Sequence, residues 1–175
     1  MSFKTRDGVK LAFEETGHGT PVVLIHGWTC DRSYFAPQRD HFARAHRVVS
    51  VDLRGHGESD KPHAPYTIAG FADDVAWLCR ELGIVKPVVI GHSMGGMTAL
   101  EVAARHPDLP HAIIVCDSPM ALPASLAATL ATVSAEFHKD DWRPAHRAFL
   151  SDALFIASDN PARREQILAD MTSAP

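Results

Sequence analysis

Short β-branched runs alternate along this chain with longer stretches that carry helical spacing. Pro21-Val22-Val23-Leu24-Ile25, Arg47-Val48-Val49-Ser50-Val51, Pro87-Val88-Val89-Ile90 and Ala112-Ile113-Ile114-Val115-Cys116 are nearly continuous apolar runs. Runs of that kind suit strands buried on both faces, as in a parallel sheet. Between them, Ser33 to Ala43 reads as helical. In Thr67 to Leu82 the apolar positions Ile68, Phe71, Val75 and Leu78 recur at helical spacing, and Gly83 ends the pattern. Met97 to Arg105 is rich in Ala, Leu and Glu, which favour helix. Ahead of the first buried run, Phe3 to Thr5, Asp7-Gly8 and Val9 to Glu15 read as a hairpin with an Asp-Gly turn. Strands alternating with helices predict an α/β fold: a mostly parallel sheet with helices on both faces.

The pattern changes after Asp117-Ser118-Pro119. No further buried strand follows. Leu122, Leu126, Leu130 and Phe137 fit helical spacing, and Trp142 to Leu150 and Pro161 to Met171 also read as helical. The expected organisation is an α/β core over 1–118 and a helical region over 119–175. Most apolar positions of that second region are expected to serve ordinary helix packing, with a minority left to line a pocket.

Composition narrows the function classes. The 175 residues suffice for one sizeable core, and the net charge is −4 with Lys and Arg scattered. That distribution gives no electrostatic footprint for nucleic acid. Cys30, Cys79 and Cys116 are widely spaced and form no CxxC, which argues for reduced thiols in a cytoplasmic setting. The polar start Met-Ser-Phe-Lys-Thr-Arg-Asp lacks an apolar core, so no signal peptide is read there. The apolar stretch from Ala121 to Val133 is too short and too rich in Ala, Thr and Ser to span a membrane.

The chemistry concentrates at Gly91-His92-Ser93-Met94-Gly95, a Gly-x-Ser-x-Gly pattern between the run at 87–90 and the helical stretch behind it. A strand turning sharply into a helix lifts a serine hydroxyl to the rim of a sheet. The glycines relieve crowding in such a turn, and the helix N-terminus favours negative charge that develops during acyl transfer. A Gly-Ser-Gly turn without chemistry is the competing reading, and the strand–helix context weighs against it.

With these residues in place, the chain resembles the α/β-hydrolase superfamily through most of 9–119. Three ordered motifs carry the resemblance: His26-Gly27-Trp28, Asp52-Leu53-Arg54-Gly55-His56-Gly57-Glu58-Ser59, and Gly91-His92-Ser93-Met94-Gly95-Gly96, each following a strand. Serine esterase, lactonase and cofactor-free haloperoxidase-like branches look nearest. The resemblance implies Ser93 as nucleophile and an oxyanion hole from the backbone N–H groups of Trp28 and Met94. It implies no metal and no organic cofactor. His26 and Gly27 are expected to shape the oxyanion loop, and the ring of His92 to pack under the sheet edge. Asp52, Arg54 and His56 are expected to brace the neighbouring loop. Asp117, at the end of the strand at 112–116, is a candidate acid, although a turn or cap role competes.

A serine needs a base. In the superfamily the order is Ser, acid, His, with the acid after a seventh strand and the His after an eighth. Neither strand is legible here, and none of His106, His111, His138 and His146 sits in a position that suits a base. The expectation is therefore a partner along the strand 112–116: a complementing C-terminal segment or a second chain, another copy included. The expected substrate is a small ester-like molecule. The expected reaction is hydrolysis of a carboxylic ester or lactone through an acyl-enzyme. The rivals are C–C hydrolysis, perhydrolysis or cofactor-free oxygenation on the same fold, and a non-catalytic binding protein.

Overall fold

The computed structural model describes residues 1–119 and 141–173. They fall in two compact units, Met1–Pro119 and Met120–Pro175.

The first unit is built on a six-stranded sheet: β1 (Ser2–Arg6), β2 (Val9–Thr16), β3 (Thr20–Ile25), β4 (His46–Val51), β5 (Val88–His92) and β6 (Ala112–Cys116). The spatial order is β1-β2-β4-β3-β5-β6. The pairs β1/β2 and β2/β4 are antiparallel, while β3/β4, β3/β5 and β5/β6 are parallel. The Asp7-Gly8 turn of the first hairpin has both residues at positive φ, 50° and 81°, as a tight two-residue connection requires.

The continuous apolar runs are explained by two cores, one on each face. Val23, Ile25, Val49 and Val51 meet Phe71, Val75 and Leu78 of α2 (Ile68–Glu81) and Ala99 and Val102 of α3 (Met94–Arg105). Their neighbours Val22, Leu24 and Val48 point the other way and pack with Phe35 and Ile90, with Phe42 of α1 (Ala36–Phe42) against them. Strand side chains alternate between faces, so a strand covered on both sides must be apolar throughout. Thr67 starts α2 by accepting the Gly70 N–H on its hydroxyl at 3.0 Å. Gly83, at φ 61°, follows its end.

The helical reading of Ser33 to Ala43 resolves into two pieces, a 3-10 turn at Arg32–Phe35 and then α1. The Asp31 carboxylate, capping Ser33 N–H at 2.7 Å, starts the first piece, and Pro37 marks the start of the second.

In the second unit, α4 (Arg143–Leu154) and α5 (Pro161–Thr172) form a helical pair. Leu150, Leu168 and Met171 are buried in it. Asn160 caps α5 by accepting the Arg163 N–H, and Pro161 takes the first helical position. The predicted helical positions Leu122, Leu126, Leu130 and Phe137 lie outside the described residues. No described helix is long and apolar enough to cross a membrane.

Candidate active site

β5 ends in a turn that leaves almost no free space. Ser93 sits at φ 53°, ψ −118°, and α3 begins at the next residue. A non-glycine residue in that region is strained and persists only where its surroundings force it. Here they do. A Cβ on Gly91 would stand 2.0 Å from the Gly95 carbonyl oxygen, and one on Gly95 would stand 2.1 Å from that of Ile25 and 2.5 Å from that of His26. Both glycines are required by backbone touching backbone. Ser93 N–H donates to the Cys116 carbonyl at 2.9 Å, and the Ser93 carbonyl accepts from Gly96 N–H at 2.9 Å. Among the described residues its hydroxyl has no hydrogen-bond partner.

The loop after β3 lies against this turn. A Cβ on Gly27 would be 3.4 Å from Ser93 Cβ and 3.0 Å from His92 Nδ1. His26 is 1% exposed and fastens the loop from behind. Leu53 N–H donates to His26 Nε2 at 3.1 Å, so Nε2 is the bare acceptor. The proton then sits on Nδ1, which donates to the Gly27 carbonyl at 2.7 Å. Burial, reinforced by His56, drives the His26 pKa from 6.5 down to about 3. Both ring nitrogens are committed, and His26 is a neutral structural group.

Asp52 makes a second fastening. It is fully buried and accepts Arg32 N–H at 2.7 Å, Glu58 N–H at 2.9 Å and the Arg32 guanidinium. It thereby ties the segment after Trp28 to the loop at 52–59. Burial outweighs these donors and raises its pKa. Gly57, at φ 49°, exists to make room: its Cβ would lie 2.3 Å from the Asp52 carboxylate. Arg54 braces the same loop from the other side through the buried carboxylate of Asp74, donating from Nη2 at 2.6 Å. His56 Nδ1 donates to the Arg54 carbonyl at 3.0 Å, and its ring lies 5.0 Å from that of His26. Burial lowers its pKa.

A cavity of about 420 Å³ opens beside Gly27. Phe35, Phe42, Ile90 and Ile114 make its apolar wall, and Gly27 and His92 belong to both the cavity and the serine turn. The expectation that His92 packs under the sheet edge is corrected: its side chain is exposed and lines this cavity. Its strand position explains the difference. His92 pairs in register with Cys116 on the last strand, so nothing in the described sheet lies beyond that pair.

The other predicted residues are placed as follows. Met94 is buried at the first position of α3. Trp28 is 40% exposed at the tip of the loop. Asp117 is exposed at φ 46°, a conformation that Asp and Asn tolerate in turns. His106 is held by Asp73 at 2.9 Å; Arg105, and after it His106, keeps the Asp73 carboxyl down at about 2. His111 is exposed at the start of β6. His146 is buried in the second unit with its ring 5.4 Å from that of Trp142, and His138 lies outside the described residues. Arg32 was missed by sequence reasoning. No local pattern marks it, since its value comes from a carboxylate twenty positions away. Among the described residues no group of three or more His, Cys, Asp or Glu could hold a metal ion.

Comparison with known proteins agrees with this geometry. A family model described as alpha/beta hydrolase fold matches residues 20–162. The chain is similar to the AB hydrolase superfamily protein YisY of Bacillus subtilis, 38% identical over 104 residues, which is 59% of this chain and 39% of that protein. It is also similar to the 2-(acetamidomethylene)succinate hydrolase of Mesorhizobium japonicum, 34% identical over 109 residues, covering 62% of this chain and 39% of the relative. Among solved structures, a thermophilic esterase from Thermogutta terrifontis superposes with a TM-score of 0.85 at 32% identity, over 99% of this chain and 65% of its own. Est816, described as an N-acyl homoserine lactone degrading enzyme, superposes with a TM-score of 0.81 at 29% identity, over 99% of this chain and 64% of its own. The matched region thus spans about two fifths of these curated relatives and somewhat under two thirds of these solved structures.

Proposed function

The chain belongs to the alpha/beta hydrolase fold family, and from that premise we propose that it is the nucleophile-bearing part of a serine hydrolase acting on a carboxylic ester or lactone. The observation that carries the proposal is the strained turn at Ser93, packed against the Gly27 backbone with its hydroxyl unengaged. Strain maintained by three backbone collisions is the mark of a positioned group.

In this reading Ser93 Oγ attacks the substrate carbonyl carbon while a base takes its proton. The oxyanion receives the backbone N–H groups of Met94 and Trp28, each such donor being worth about 3 kcal/mol in the transition state. The intermediate collapses, the C–O bond to the alcohol breaks, and the base returns the proton to the leaving oxygen. Water then hydrolyses the acyl-enzyme by the same path. His26 and Asp52 act as positioning residues, since they hold the loop that presents Gly27 and Trp28. The similarity to an esterase and to a lactone-degrading enzyme supports this substrate class.

The base comes from a complementing segment or second chain along β6, with Asp117 a candidate acid. Among the described residues of the first unit, His26 and His56 are committed to backbone groups and His106 to Asp73. That same observation favours the second reading, a binding protein that keeps the fold without the reaction. A fluorophosphonate probe separates the two. In the complemented protein the hydrolase reading expects one adduct, at Ser93, abolished in Ser93→Ala. A complemented protein that hydrolyses nothing and takes no adduct is a binding protein.

A further inference from the structure

We infer that Thr29 is a positioning residue: its hydroxyl keeps the Trp28 peptide in a strained turn and so steadies the aim of the Trp28 N–H. The consequence for the reaction rests on the acyl-enzyme reading; the state of the turn does not.

Cys30 N–H donates to the Gly27 carbonyl at 3.3 Å and closes a four-residue turn with Trp28 and Thr29 at its centre. Thr29 stands at φ 58°, while Trp28 is not among the residues at positive φ. Those signs define a type II turn, whose third position favours Gly or Asn. Of the five described non-glycine residues at positive φ, Thr29 alone is β-branched. A β-branched side chain in that region is an outlier that persists only where something holds it. The same φ supplies the hold. Positive φ brings a residue's Cβ beside the preceding carbonyl carbon, which is a source of the strain. That closeness also lets the Thr29 hydroxyl donate to the Trp28 carbonyl at 2.7 Å. Flipping the Trp28–Thr29 peptide would give a type I turn with Thr29 near φ of about −90°. There the threonine is unstrained, but its Cβ points away from the Trp28 carbonyl and the hydroxyl does not reach it. The hydroxyl bond therefore belongs to the strained form alone and offsets its cost.

The Trp28 α-carbon joins two peptide planes, and each is held by its carbonyl. In the first, the Gly27 carbonyl accepts from His26 Nδ1 at 2.7 Å and from Cys30 N–H. A trans peptide points its N–H away from its C=O, so these two donors aim the Trp28 N–H toward the opposite side. In the second, the Thr29 hydroxyl holds the Trp28 carbonyl. Remove that hydroxyl and only the first plane is held, while the strain at Thr29 drives the second to flip. Trp28 is then fixed on one side only, and its N–H meets the oxyanion less well.

Two substitutions separate the hydroxyl from the branch: Thr29→Val keeps the branch and loses the donor, and Thr29→Ser keeps the donor and loses the branch. Nuclear Overhauser contacts in the full chain read the turn directly. A type II turn brings the Trp28 Hα close to the Thr29 N–H, whereas a type I turn brings the two N–H groups together. The wild type and Thr29→Ser are expected to show the first contact, and Thr29→Val the second. The urea midpoint of Thr29→Val should move by less than about 0.5 M, because released strain offsets the lost bond. In the complemented protein Thr29→Val should lower kcat about tenfold at unchanged KM, a part of the roughly hundredfold or more that losing an oxyanion donor costs. Thr29→Ser should restore most of that loss. A threonine with a structural role only would move the midpoint and leave kcat alone. A Thr29→Val chain that keeps the type II contact, or one that flips without losing kcat, overturns the inference. A complemented wild type that takes no adduct at Ser93 defeats the acyl-enzyme reading instead, and the contrast between Thr29→Val and Thr29→Ser in the Overhauser contacts then decides the hold on the turn by itself.

Discussion

The two flanks of β5 are built in opposite ways. Toward β3 the backbone is closed: a Cβ on Gly95 would collide with the Ile25 and His26 carbonyls, and His26 and Asp52 tie two loops together through backbone N–H groups. Toward β6 the described sheet has no further strand, with Ile114 half in solvent and His92 beside a cavity. The contrast teaches that one side of the serine turn is fixed by close backbone packing while the other, among the described residues, borders a cavity. Position and strain belong to the closed flank; in the proposed reading the proton acceptor approaches from the open one.

The sharpest way to break the closed flank is one methyl group. Gly95→Ala forces a Cβ into two carbonyl oxygens and should cost on the order of 3–5 kcal/mol, read as a collapse of the urea midpoint. A variant with an unchanged midpoint would show that the turn has slack.

Acid titration probes the same flank more gently. His26 binds its proton at about 3 when folded and at 6.5 when unfolded. Below 6.5 the unfolded chain therefore holds more protons, and stability falls as pH drops from about 6.5 toward 3. The burial-lowered pKa of His56 adds to the same limb. The combined loss is on the order of a few kcal/mol. In His26→Asn the acid limb of stability against pH should flatten, because the substituted side chain does not titrate.

The open flank should be forgiving. Asp117→Asn leaves a residue that accepts φ 46° equally well, so stability should shift by less than about 0.5 kcal/mol. If Asp117 is the acid of the complemented hydrolase, turnover should fall steeply in that variant while the midpoint holds. An unchanged turnover would return Asp117 to a turn role.

Most of the fold was legible because its signals are local. The apolar runs at 22–25, 47–51, 87–90 and 112–116, the Asp-Gly turn and the Thr67 start of α2 each depend on a few neighbouring residues, and each appears within two positions of its expected place. The Ser93 turn was legible because its two glycines answer to sterics that a five-residue pattern encodes. His92 was misplaced since its surroundings depend on what lies beyond β6, which no pattern around position 92 records. Arg32 was invisible for a related reason: its carboxylate partner arrives from another strand end.

By itself, then, the amino-acid order determined the layered α/β class, the family resemblance and the serine turn, all governed by periodicity and backbone sterics over short spans. Only the tertiary structure decided that His26 is neutral and fully engaged, that Asp52 holds the loop, and that His92 is exposed and lines a cavity. Burial and hydrogen-bond partnership are set by residues far apart in the chain, and their energies exist only once the strands have been brought side by side.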